Sequence, residues 1–106
     1  MFKLVRDKIP ELVQKSGGVF DYAVIQNDEF FRALLKNKLI EEVNEYLGSN
    51  DSLEELADIQ LVLNTLVGNQ KEEFDRIYAV KLAERGEFSK RYLGFFADST
   101  PEALEN

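Results

Sequence analysis

A chain of 106 residues and 12.2 kDa, with 44% apolar and 31% charged residues, suits one globular domain and is too polar to span a membrane. It has neither Cys nor His, which excludes disulfides, thiol and imidazole catalysis, and thiolate or histidine zinc sites. Twenty acidic against thirteen basic residues give a net charge of -7, which argues against general nucleic-acid or anionic-lipid binding and leaves carboxylates around a hard cation, Mg²⁺ or Mn²⁺, as the available chemistry.

The opening MFKLVRDKIP has no apolar block ahead of a cleavage site, so the expected location is the cytoplasm. A short first helix is predicted over Ile9 to Lys15, with Pro10 in its first turn and Gly17-Gly18 stopping it. Val19 to Ile25 is rich in β-branched and aromatic residues and reads as an extended segment, a lone strand or an arm. A long helix follows from Asn27 or Asp28 to about Leu47, ended by Gly48-Ser49-Asn50. Ser52 with Glu55 fits a capping box that opens a third helix, running to Val67 and stopped by Gly68. A fourth extends from about Lys71 to Arg85, before Gly86. The tail holds Phe95 and Phe96 and then a polar run, Asp98 to Asn106, expected to fray. The predicted class is therefore all-α: an antiparallel bundle of about four helices with an extended segment near residues 19–25, in a single domain over residues 1–106. Apolar stripes this broad on so short a chain call for oligomerisation with further copies, a dimer or a tetramer, to complete the core.

Projecting each helix at about 100° per residue locates charges on the wrong face. In the second helix Glu42 falls between Phe31 and Leu35, with Glu45 beside Leu34. In the third, Glu55 falls between Val62 and Leu66, with Asp58 at the edge of the arc. Residues three apart share a helix surface, so each pair addresses one small volume, and the short connection makes the two helices antiparallel neighbours. Four inward carboxylates repel one another in a low-dielectric interface, and a divalent cation removes the conflict. The competing reading places these acids at helix ends or with their heads in water, Glu55 serving the cap and the helix dipole. Lys81 and Arg85, one turn apart, project into the apolar side of the fourth helix; they either lay their stems on the core or grip a polyphosphate. Lys38, one turn before Glu42, fits a helical ion pair, and Lys3, Arg6 and Lys8 form a small basic cluster that by itself reads as solvated.

Glu41-Glu42-Val43-Asn44-Glu45 followed by Glu55-Leu56-Ala57-Asp58 resembles the EExxE and ExxD motifs of the all-α MazG-like and phosphoribosyl-ATP pyrophosphohydrolase superfamily. Lys3-Leu4-Val5-Arg6-Asp7-Lys8-Ile9-Pro10 and the later Lys81, Arg85-Gly86 and Phe88 resemble a branch of small single-domain members, and the likeness spans about residues 3 to 93. It implies an oligomeric enzyme that cuts a nucleoside triphosphate to a monophosphate and pyrophosphate with Mg²⁺. On that resemblance Glu42, Glu45, Glu55 and Asp58 are metal ligands, and Glu41 orients or deprotonates the attacking water. On the same resemblance Lys81 and Arg85 contact phosphate and the segment from Arg6 to Lys8 helps close the site; Lys38, from its spacing, is the remaining candidate substrate contact beside its ion-pair reading. Two departures stand out: the segment Tyr46 to Glu54 between the motifs is short, and Glu87 replaces a common second glycine. The alternative is a catalytically silent helical module that binds a nucleotide or a protein partner. A di-iron bundle is excluded, since its Glu-x-x-His motifs cannot be built without histidine.

Overall fold

The structure, a computed structural model, describes residues 2–102; the end of the polar run expected to fray lies outside them. Its elements are α1 (Ile9–Lys15), α2 (Asp28–Gly48), α3 (Leu53–Val67), a 3-10 turn (Gly68–Gln70) and α4 (Lys71–Arg85). Among the described residues there is no strand, so the chain is all-helical, and residues 18–27 are irregular rather than a paired extended segment.

The helix ends follow local chemistry. Asn27 Oδ1 accepts the Phe30 N–H at 2.8 Å and caps α2, and Ser52 Oγ accepts the Glu55 N–H at 3.4 Å and caps α3. Gly68, with φ +55°, ends α3. Gly48 differs from expectation: it is the last residue of α2, and the left-handed turn falls on Asp51 at φ +57°, a residue type that tolerates that conformation. Ser49 closes α2 by donating both its N–H and its hydroxyl to the Tyr46 carbonyl, at 3.1 and 2.7 Å.

The four-residue connection folds α3 back along α2. Arg32 of α2 donates to the Leu66 carbonyl of α3 at 3.1 Å, while Tyr46 of α2 reaches Asp51 at 3.3 Å just before α3 begins. Low numbers in one helix therefore meet high numbers in the other, an antiparallel hairpin. Its tightly buried residues are few: Leu35 at 7% exposure, Val62 at 6% and Glu42 at 5%. Phe31, Val43, Leu56 and Leu63, all on the predicted core faces, remain exposed. Within the described residues the hairpin has one thin seam rather than the interior of a closed bundle.

The chain divides into two units, one ending at Gln70 and the other starting at Lys71. The second is built on α4, which has no buried residue; Phe74, Ile77 and Leu82 lie open along its apolar side. Lys71 pairs with Asp75 at 2.6 Å and Arg76 with Glu73 on its surface, the local support that an exposed helix uses. Among the described residues no helix is long and apolar enough to cross a membrane.

Candidate metal centre

The most buried side chain of the hairpin seam is a carboxylate. Glu42 lies on the α2 face that meets α3, and it belongs to two sets of acids whose oxygens approach within 4.8 Å of one another: Glu41, Glu42 and Glu45 on α2, and Glu42, Glu55 and Asp58 across both helices. The periodicity explains the first set and the antiparallel register the second. Glu41, Glu55 and Asp58 are half-buried and Glu45 is exposed, so the inward placement expected of both pairs holds for Glu42 and only partly for the others. Glu45 forms the rim because its position on α2 lies a step round the helix from the line of contact.

Oε2 of Glu42 and Oε2 of Glu55 are shut off from water and have no hydrogen-bond partner. Leaving a buried carboxylate oxygen unmatched costs on the order of 1–3 kcal/mol. The Glu55 carboxyl is pushed above its ordinary range by burial, by the negative charge of Glu45 and by the proximity of Glu42, the effect of like charges held close together.

Glu55 lies in the first turn of α3, where an acid suits the helix dipole, but it does not complete the cap. In a complete capping box the Glu55 side chain returns to the Ser52 N–H. Here that N–H donates to Ser49 Oγ at 3.2 Å instead. Only half the box forms, and the Glu55 carboxylate is released to the seam.

Cations already press on this cluster. Lys38 Nζ lies 3.3 Å from Glu41 Oε1 and 3.3 Å from Glu42 Oε1. Burial alone depresses the ammonium pKa, but the hydrogen bonds to Glu42 and Glu41 outweigh it and raise it. Lys38 thus makes the helical ion pair that its spacing offered. Lys3 Nζ reaches the same Glu41 oxygen at 3.2 Å, and Arg6 Nη1 reaches Asp58 Oδ1 at 3.4 Å. The Lys3 hydrogen bond, opposed by burial and supported by Lys38, holds the Glu41 carboxyl below its ordinary range; in this arrangement Glu41 is a weak base and a good hydrogen-bond acceptor.

The remaining candidates are Lys8, Lys81 and Arg85. Lys8 stands at the start of α1 and among the described residues forms no ion pair. Lys81 and Arg85 belong to the second unit, where they border a depression of about 450 Å³ together with Tyr78, Phe88 and Glu87; Glu87 places a negative charge in the same depression as the two cations. A larger groove of about 930 Å³ in the first unit is walled by the 2–7 segment and by Phe20, Tyr22, Phe30 and Phe31.

Two contributors were not legible as site residues. Lys3 read as solvated, although a basic cluster in so acidic a chain was the available signal. Ser49 read only as part of a helix stop, and nothing in a linear sequence marks a serine that displaces a glutamate from its cap.

The donor set fits a divalent ion. It is all carboxylate, the chemistry hard cations select, and the buried Glu42 presents an oxygen that no protein donor satisfies. No family model, no curated protein and no solved structure matches the chain.

Proposed function

We propose that the chain is a Mg²⁺-dependent nucleotide pyrophosphohydrolase that cleaves a canonical or modified nucleoside triphosphate to monophosphate and pyrophosphate, in a housecleaning role in the cytoplasm. The observation that carries the metal part of this reading is Glu42, whose buried and unsatisfied oxygen lies where two carboxylate sets converge. The motif resemblance carries the substrate part. Glu42, Glu45, Glu55 and Asp58 hold Mg²⁺, or Mn²⁺ in its place. The chemistry such an ion supplies when bound is charge neutralisation on phosphate oxygens and acidification of water.

The chain's own groups do the rest. Glu41 orients or deprotonates a water by accepting its hydrogen bond. Lys38 stays beside Glu41 and Glu42 and balances their charge. Arg6 and Lys8 of the first unit, and Lys81 and Arg85 of the second, are each suited to phosphate groups, Arg through two oxygens at once and Lys as a point charge. A second copy of the chain, in a dimer or a tetramer, covers the open faces of Phe31, Val43, Leu56 and Leu63 and turns the hairpin into a bundle.

A pyrophosphate-release assay over a panel of nucleoside triphosphates, oxidised and deaminated ones included, with and without Mg²⁺, tests the reading. Turnover only with Mg²⁺ supports it; no turnover anywhere overturns it. One observation favours a second reading, a silent nucleotide-binding module: two ammonium groups occupy Glu41. Calorimetric binding of a non-hydrolysable nucleotide without turnover is its expected result.

A further inference from the structure

Five carboxylates gather at the seam, and among the described residues Lys3, Arg6 and Lys38, cations of different standing, are ion-paired with them. Lys38 is on α2 itself and half-buried, a fixed part of the helix. Lys3 and Arg6 belong to the irregular 2–7 segment and are well exposed. Each nevertheless ends on an acid of the cluster: Lys3 on Glu41, from the set confined to α2, and Arg6 on Asp58, from the set that bridges both helices. The segment is thus fastened at two points to the two sets that share Glu42. Its other anchor is an edge-on contact of Phe2 with Phe30, ring centroids 6.2 Å apart. The same segment forms one wall of the aromatic groove.

A divalent ion held by Glu42, Glu45, Glu55 and Asp58 competes with Arg6 for Asp58 and is a close neighbour of Lys3, whose partner Glu41 has an oxygen within 4.8 Å of those of Glu42 and Glu45. Like charges at that range repel. Glu42 and Glu55 keep their unmatched buried oxygens with Lys3 and Arg6 in place, so the two cations neutralise the rim without satisfying the centre. The ion does both.

We propose that Lys3 and Arg6 are place-holding cations for the ion-free cluster, exchanged for a divalent ion when it binds, so that ion binding unfastens the 2–7 segment and opens the wall of the aromatic groove. This rests on the metal reading of the cluster and adds an order of events: ion first, then a ligand in the groove, with the freed Lys3 and Arg6 available to its anionic groups.

Because the chain contains no cysteine, a Val5→Cys variant takes a single spin label between the two fastening residues. Electron spin resonance of the full-length labelled protein, titrated with Mg²⁺ alone, reads the segment directly, and calorimetry of the unlabelled protein gives the Mg²⁺ affinity. The expected result is a narrower, more mobile spectrum whose midpoint matches the calorimetric Kd. Lys3→Met and Arg6→Met each bind Mg²⁺ about two- to fivefold more tightly, the range set by one exposed ion pair, and each leaves the label partly mobile before Mg²⁺ is added. Lys8→Met, which removes a nearby charge that is not fastened to the cluster, changes the affinity by less than about twofold at physiological salt, where screening acts over about 8 Å. Mg²⁺ binding that leaves the label unchanged, or that neither Lys3→Met nor Arg6→Met tightens beyond Lys8→Met, overturns this inference while sparing the metal site. Absence of any Mg²⁺ binding heat overturns both.

Discussion

Replacing Glu42 by Gln alters charge at the centre of the seam and barely changes shape, which makes it a sharp probe. Among the described residues the carboxylates of Glu41, Glu42, Glu45, Glu55 and Asp58 outnumber the cations ion-paired with them, Lys3, Arg6 and Lys38. Glu42 is 5% exposed and its Oε2 lacks a donor, as does that of Glu55. An amide at position 42 removes one negative charge and supplies an N–H to a neighbouring carboxylate, recovering about 1–2 kcal/mol. It weakens the contact with Lys38, but Lys38 keeps Glu41 at 3.3 Å. The net expectation without metal is a gain of about 1 kcal/mol, or a Tm about 4–8 °C higher for a domain of this size. With Mg²⁺ at about a hundred times its Kd, the wild-type protein gains about 2.7 kcal/mol by linkage, whereas the variant has lost the shared ligand and gains almost nothing. The two melting curves therefore exchange order: the variant melts higher in EDTA and lower in Mg²⁺. Differential scanning calorimetry in the two buffers decides the matter. A variant that melts lower in EDTA and shows the wild-type Mg²⁺ increment refutes the claim that Glu42 is buried for an ion.

Further predictions follow from the same geometry. Glu55, held above its ordinary pKa of 4.5 by burial, Glu45 and Glu42, binds more protons folded than unfolded just above pH 4.5, so it makes ion-free stability fall as pH rises through that window; Glu41, held low, stabilises above 4.5 and loses that contribution as pH falls below it. Thermal unfolding in EDTA across pH 4–7 should show the decline in wild type and its loss in Glu55→Gln, and an identical slope in both proteins contradicts the assignment. Ser49→Ala frees the Ser52 N–H, lets Glu55 complete its capping box, and should weaken Mg²⁺ binding severalfold in calorimetry at a stability change of about 1 kcal/mol; unchanged affinity means that Ser49 does not hold Glu55 at the seam. Leu35→Ala should cost about 3 kcal/mol in urea unfolding. Val43→Ala, exposed in one chain, should cost under about 1 kcal/mol in a monomer and more if a second copy covers it; sedimentation equilibrium on both proteins tells which, and a monomeric wild type rules out the oligomer.

Much of the local structure was legible because its causes are local. Asn27, Ser52 and Gly68 are cap residues whose own backbone and side-chain chemistry start or stop a helix, and the spans from Asp28 and Leu53 follow from them. The inward position of Glu42 was equally legible, because helical periodicity fixes which residues share a face. Periodicity works to about one residue's angle, however, and that resolution could not separate the buried Glu42 from the exposed Glu45 three positions on.

Three matters needed the chain folded. Glu55 had two destinations of similar merit, its cap and the seam, and a serine from the preceding turn decided between them by taking the Ser52 N–H. Lys3 and Arg6 were solvated cations until the irregular 2–7 segment brought them to Glu41 and Asp58, across 38 and 52 positions of chain; no local rule encodes a contact at that separation. The segment over 19–25 had strand-forming composition, yet a strand requires a neighbour to share its hydrogen bonds, and none is present among the described residues. Composition and periodicity by themselves determined that carboxylates dominate the ionisable groups of this chain and which helix faces bear them. Tertiary structure decided which oxygens are left without a partner, because hydrogen-bond satisfaction depends on every group that folds into reach.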